Sequence, residues 1–294
     1  MSKYSNFAIV ASFFGLWINS YLSDESQVWV GFILIFTFGI LHGANDLVLI
    51  KSVNKKNKML NFYTILIYYV IVVLCGAVLF YTIPWIALTL FILVSGYHFG
   101  EQQFHNQLQR ANKCLKFIFQ MLYGLIILFM IFSFHDKEVQ KIILAITGIS
   151  VPLSYFSDFL KVIGTSFIIF GALLYFKVDR FKNLIIQELF YLIVFTILFK
   201  VSSLIWGFAL YFIFWHSIPS IIDQMKFLFE EVNFKNFKIY FRSAFVYWIV
   251  SLTGIAFLYY IFKDQKMFNA LFFSFLAAIT FPHVIVILKM FKKK

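Results

Sequence analysis

Apolar runs of about 20 residues recur along the whole of this chain, and few folds can absorb such a pattern. One of them begins near Val28 and reaches Ile50, yet it carries His42, Asn45 and Asp46 in its interior. A run of that length spans a bilayer as a helix, and polar groups at such depth are expensive, which makes them functional candidates by default. Hydrophobic residues make up 62% of the sequence and charged residues 13%, with a mean hydropathy of +0.87. Soluble chains carry roughly a quarter charged residues. The alternating polar pattern of a membrane barrel is absent. The expected fold class is therefore all-α, a polytopic transmembrane helical bundle.

Ten spans are expected, at 7–22, 28–51, 60–82, 84–99, 114–134, 160–177, 184–199, 202–217, 243–262 and 268–290. The stretch 139–156 is apolar but interrupted by Gly148 and Pro152, which suits an interfacial or re-entrant helix better than an eleventh span. The first run follows Lys3 and has no small-x-small cleavage site before Ser23-Asp24-Glu25, so it reads as a span and not as a signal peptide. No internal repeat and no linker rich in Pro, Gly or Ser divides the chain, so residues 1–294 read as a single integral membrane domain.

Charge orients the bundle. The formal net charge of +12 would suit nucleic acid, but the 25 Lys and Arg residues lie in short segments between apolar runs, as an anionic membrane surface demands. With the N-terminus inside, 19 of those 25 fall on the cytoplasmic side and 6 outside, which favours cytoplasmic termini at both ends. Cys75 and Cys114 have neither a metal-ligand spacing nor the density of a disulfide scaffold and read as free thiols.

That orientation brings four histidines to a common depth. His42 lies nine residues before Lys51, about 13 Å from the cytoplasmic end of its span, and His283 lies six before Lys289, about 9 Å from the same side. His98 and His216 stand in the last turns of spans that also run towards the cytoplasm, so the four sit on four different helices. His135 belongs to the opposite face and His105 to a cytoplasmic segment. A lone histidine at a span end is commonly satisfied by a backbone carbonyl, whereas four at like depth point to a shared metal or proton site. Imidazole suits iron, copper, zinc and nickel and does not choose among them.

The flanking residues suit such a site. Gly39 and Gly43 bracket His42, and Gly96 and Gly100 bracket His98, where small residues also serve close helix packing. Asn45, Asp46 and Glu101 lie within a helical turn of a histidine and are placed to orient an imidazole through its second nitrogen. Pro219 and Pro282 neighbour His216 and His283 and are expected to interrupt helical hydrogen bonding there. The pair Glu230-Glu231 with Lys235 falls in a hydrophilic loop and reads as a solvated face. The 42 Phe and 16 Tyr suit a tunnel for a long apolar ligand as well as ordinary lipid contact.

Four segments, Leu41-His42-Gly43-Ala44-Asn45-Asp46, Ser95-Gly96-Tyr97-His98-Phe99-Gly100-Glu101, Trp215-His216-Ser217 and Phe281-Pro282-His283, together resemble the bacteriorhodopsin-related (Brp/Blh) family of membrane β-carotene 15,15′-dioxygenases. The family motif commonly has proline before its first histidine, where this chain has Leu41. The resemblance implies an Fe(II)-dependent oxygenase of the bacterial inner membrane that uses O2 to cleave the central double bond of β-carotene into two molecules of retinal. Carried over by position, His42, His98, His216 and His283 would be the Fe(II) ligands, with β-carotene taken from membrane lipid and retinal passed to a rhodopsin. Three other classes place histidines in membranes. These are a haem-binding quinol cytochrome, a di-iron desaturase or hydroxylase, and a transporter with a His/Asp proton relay. A desaturase needs about eight histidines in HxxxH and HxxHH clusters, and this chain has 6, scattered.

Overall fold

The computed structural model describes residues 3–53, 61–261 and 265–293, and every regular element among them is helical. Lys55, Lys56, Lys58, Lys263 and Lys294, which enter the charge argument, lie outside the described residues. In chain order the first elements are α1 (Lys3–Asn19), α2 (Asp24–Leu34), a π-helical turn (Ile35–Gly39) and α3 (Asp46–Val53). Next come α4 (Phe62–Thr82), α5 (Pro84–Phe104), α6 (Lys113–Phe134), α7 (Asp136–Thr147), α8 (Ser154–Lys177) and α9 (Asp179–Val201). The last are α10 (Leu204–Tyr211), a second π-helical turn (Phe212–Ser217), α11 (Ile218–Phe229), α12 (Phe234–Ile261) and α13 (Gln265–Lys293).

The helix starts follow local chemistry. Ser23 accepts from the Ser26 backbone N–H at the start of α2, where Asp24 and Glu25 also meet the positive end of the helix. Asn61 caps α4 through Thr64 N at 2.8 Å, and Asn112 caps α6 through Cys114 N at 2.9 Å. Gly148 ends α7 at φ +70°, a left-handed conformation that costs glycine nothing.

Among the described residues, seven helical stretches are long and apolar enough to cross a membrane: 62–82, 113–134, 154–177, 179–201, 204–229, 234–261 and 271–293. Outward side chains such as Tyr63, Ile67, Leu74, Val78 and Tyr81 on α4 are exposed and apolar or aromatic, as a lipid-facing surface requires. Three of the ten expected spans depart from a simple crossing helix. The expected helix 28–51 is split into α2, the first π turn, a turn at 42–45 and α3, because His42, Asn45 and Asp46 draw the chain into side-chain hydrogen bonds. The helix at 7–22 is α1, only 17 residues long, and α5 carries Glu101, Gln102 and Gln103 in its final turns. Neither proline beside a histidine stops its helix. Pro219 lies just past the second π turn inside the continuous helical stretch 204–229, and Pro282 lies inside α13.

The chain packs as two compact units that interleave along the sequence. The first comprises Met1–Ile35, Ile92–Lys141 and Val151–His216. In it Gly31 lets α2 lie against Ile205 of α10, and Trp206 Nε1 donates to Gly15 O of α1 at 3.2 Å. The closest approach is α5 on α6. A methyl group at Gly100 would collide with the Gln120 carbonyl, and one at Gly124 with the Gly96 carbonyl, so only glycine allows this crossing. Phe119 on α6 stacks on Phe167 of α8 with ring centres 4.9 Å apart.

The second unit comprises Phe36–Phe91, Ile142–Ser150 and Ser217–Lys294. Here α13 crosses α4 where Gly76 meets Ala278, and α3 packs Leu49 and Val53 against Val286, Ile287 and Met290. Ile221 and Met225 of α11 are buried with Tyr240 and Ala244 of α12, and Leu41 joins that cluster.

Candidate metal centre

The second unit contains a histidine pair. His42 begins the turn that follows the first π-helical segment, and its Nδ1 donates back to Gly39 O at the end of that segment. His283 projects from α13 just after Pro282, and its Nδ1 lies 2.8 Å from Asp46 Oδ1. The two imidazoles meet edge to face, with ring centres 4.8 Å apart and planes at 84°. Each Nδ1 faces an acceptor, one a carbonyl and the other a carboxylate. In the neutral form each ring carries its proton on Nδ1 and its lone pair on Nε2. Asp46 is only 2% exposed, and its other oxygen accepts from Tyr69 OH at 2.9 Å, so both carboxylate oxygens are engaged.

The backbone of His42 is held as well. Its carbonyl accepts from Gln224 Nε2 of α11 at 2.8 Å, and Gln224 Oε1 accepts from Tyr240 OH of α12 at 2.8 Å. Asn45 Nδ2 donates to Tyr240 O at 2.9 Å, while Asn45 Oδ1 accepts from Ser243 Oγ at 2.7 Å. The amide expected to orient an imidazole thus binds α12 at both ends. A short side chain three residues past His42 reaches that backbone more readily than a ring on the same turn.

The first unit contains a second pair of the same form. His98 projects from α5 and His216 from the second π-helical turn, with ring centres 4.9 Å apart and planes at 82°. Phe212 stacks on the His216 ring at 5.3 Å and Phe99 leans on it at 4.7 Å, which fixes the imidazole between two apolar faces. The His216 carbonyl accepts from Gln102 Nε2 at 2.9 Å. Glu101 Oε1 accepts from Tyr97 OH at 3.4 Å, one turn back on the same helix. All four histidines are buried, between 1% and 6% exposed.

The pair geometry suits one kind of coordination. An imidazole bound at about 2.1 Å has its ring centre about 3.2 Å from the metal, so two sharing an ion at roughly a right angle have centres about 4.5–5 Å apart. Two imidazoles on opposite faces of a haem iron have centres more than about 6 Å apart. Both observed spacings, 4.8 Å and 4.9 Å, match neighbouring positions on one ion and exclude a bis-histidine haem within either pair. Among the described residues, no three His, Cys, Asp or Glu side chains stand together as a metal site.

A family profile described as beta-carotene 15,15′-dioxygenase matches residues 33–291, a range that holds all four histidines. The chain belongs to the β-carotene 15,15′-dioxygenase family. No curated protein and no solved structure matches it. All four motif segments that resemble the family lie inside the matched range, from Leu41 to His283.

The two remaining histidines of this dioxygenase are members of neither ring pair. His135 caps the end of α6, and its Nε2 donates to Phe199 O at 2.8 Å, the ordinary fate of a histidine at a span end. His105 follows the last residue of α5, and its carbonyl accepts from Lys116 Nζ at 3.2 Å. Sequence reasoning did not find Tyr69, Gln102 or Gln224. The two glutamines are amides in or beside apolar runs and carried a weak signal. Tyr69 carried none, being one of 16 tyrosines. The same blindness applies to Glu188 of α9, buried with donors from Gln103 at 2.8 Å and Tyr123 at 2.9 Å.

Proposed function

We propose that this dioxygenase holds one ferrous ion with His42, His98, His216 and His283 and cleaves the central 15,15′ double bond of β-carotene. One O2 is consumed, each half of the broken bond gains one oxygen atom, and two molecules of all-trans-retinal leave. No external reductant enters the balance. The observation that carries this reading is the arrangement of the motif histidines in two edge-to-face pairs, inside a chain of this family.

Bound iron supplies the redox chemistry that activates O2 towards the polyene. The protein's own residues do the rest. Neutral imidazoles leave the ion its divalent charge and leave positions open for O2. Asp46 holds the His283 ring by its Nδ1–H, and Gly39 O does the same for His42, so Nε2 of each is presented to the ion. Phe99 and Phe212 keep water from the His216 ring and suit an apolar polyene entering from lipid. No acid, base or nucleophile is required, since cleavage moves no proton between substrate and product.

The same reading takes the dioxygenase as a ten-span protein of the bacterial inner membrane with both termini cytoplasmic. Retinal leaves into lipid, where a rhodopsin can take it up. The charge split of 19 to 6 supports this topology.

The test is expression in a β-carotene-producing bacterium. Colour loss with retinal by chromatography is the expected result, together with about one iron per chain in purified protein and activity that a ferrous chelator removes and Fe(II) restores. Retained β-carotene in cells that contain the folded protein overturns the reaction. Cleavage with no iron bound overturns the metal assignment.

A further inference from the structure

His42 stands three residues past the first π-helical turn and His216 within the second, and in both the histidine's own carbonyl is taken by a glutamine from another helix of the same unit. Gln224 Nε2 donates to His42 O at 2.8 Å, and Gln102 Nε2 donates to His216 O at 2.9 Å. A π turn widens the helix by one residue and leaves carbonyls out of register with the i→i+4 ladder. In an apolar bundle such carbonyls must find donors elsewhere.

The rest of each wide turn is held in the same way. Trp248 Nε1 donates to Phe36 O at 3.2 Å and Thr37 O at 3.0 Å, and Tyr4 OH donates to Phe214 O. The glutamines differ from these other donors in acting at the histidines themselves. Gln224 is fully buried and its amide is committed at both ends, since Tyr240 OH donates to Oε1 and Nε2 also reaches Ser220 Oγ at 3.1 Å. Tyr240 O is in turn bound by Asn45, three residues beyond His42. The circuit His42, Gln224, Tyr240, Asn45 closes on one turn of backbone.

We infer that Gln224 and Gln102 are positioning residues, which fix the backbone at His42, past the first wide turn, and at His216, within the second, so that both present their rings to the ion, a role that rests on the iron reading above. Neither glutamine touches the ion. Each sets the backbone from which a ligand hangs, and a shift of that backbone moves the ring nitrogen as a whole.

The test uses the full chain in detergent, loaded with Co(II) as a spectroscopic probe. Metal affinity, the cobalt d–d absorption band and the thermal midpoint are compared for wild type, Gln224→Met, Gln102→Met, Tyr240→Phe and Gln103→Met. Methionine keeps the volume of glutamine and removes its donor. Gln224→Met and Gln102→Met are expected to weaken cobalt binding about tenfold, in the range found when partners of metal ligands are removed, and to shift the absorption band. Tyr240→Phe removes one hydroxyl and leaves Gln224 in place, so it folds and gives a smaller shift in the same direction. It decides the question if Gln224→Met does not fold. Gln103→Met takes a donor from buried Glu188 at the adjacent position of α5 and is expected to lower the thermal midpoint with the band unchanged. Wild-type binding with an unchanged band and affinity in the first three variants overturns the inference alone. A band shift as large in Gln103→Met assigns the effect to general loosening and also overturns it. Wild-type protein that binds no cobalt or iron overturns the iron reading and the inference together.

Discussion

Asp46 and His283 stand 237 positions apart in sequence and 2.8 Å apart in space, Oδ1 against Nδ1, with both side chains buried. The contact joins the start of α3 to the middle of α13. In the neutral ring it puts the His283 proton on Nδ1, because the carboxylate there accepts it.

Asp46→Asn is expected to cost about 10–100-fold in iron affinity while leaving the protein folded. The amide oxygen still accepts from Nδ1, and its nitrogen can donate to the Tyr69 oxygen, so the shape is kept and only the charge is lost. Iron content measured against free Fe(II) checks this. Unchanged retention and unchanged retinal formation would leave Asp46 a packing residue.

Tyr69→Phe removes the donor from Asp46 Oδ2 and touches no imidazole. A loss of about 1.5–3 kcal/mol in folding stability is expected, as for a hydrogen bond to a charged group, with a fall in iron affinity smaller than that of Asp46→Asn. A fall larger than that of Asp46→Asn would mean that the tyrosine acts by another route.

The histidines separate by role. His42→Ala, His98→Ala, His216→Ala and His283→Ala are each expected to abolish stoichiometric iron and retinal formation. His135→Ala gives up a bond to Phe199 O and is expected to lower stability by about 1 kcal/mol with iron retained. His105→Ala is expected to keep full iron, and metal loss in that variant would place it among the ligands.

The glycines of the α5–α6 crossing set the position of His98. Gly100→Ala forces a methyl group into the Gln120 carbonyl and is expected to destabilise by about 1–3 kcal/mol, the usual cost of overpacking. Gly164→Ala meets nothing within 4 Å and is expected to be neutral in the same thermal melt.

The sequence by itself determined the class of this protein and the identity of its four motif histidines. Run length against bilayer thickness dictates helices, since a lipid-exposed backbone must bond within its own segment. An imidazole or carboxylate inside such a run stands out because burial there is expensive. Asp46 was legible for that reason, and its bond to a histidine of another helix was foreseeable from the scarcity of other partners. The interruption of the run 28–51, the two π turns and the pairing of His42 with His283 and of His98 with His216 were not legible. They depend on donors such as Gln224, Trp248 and Gln102 that reach across from other helices, and no spacing within one run encodes a partner more than a hundred residues away. The tertiary structure alone decided which ring nitrogen faces outward, because a tautomer is set by the acceptor that packing brings to the other nitrogen.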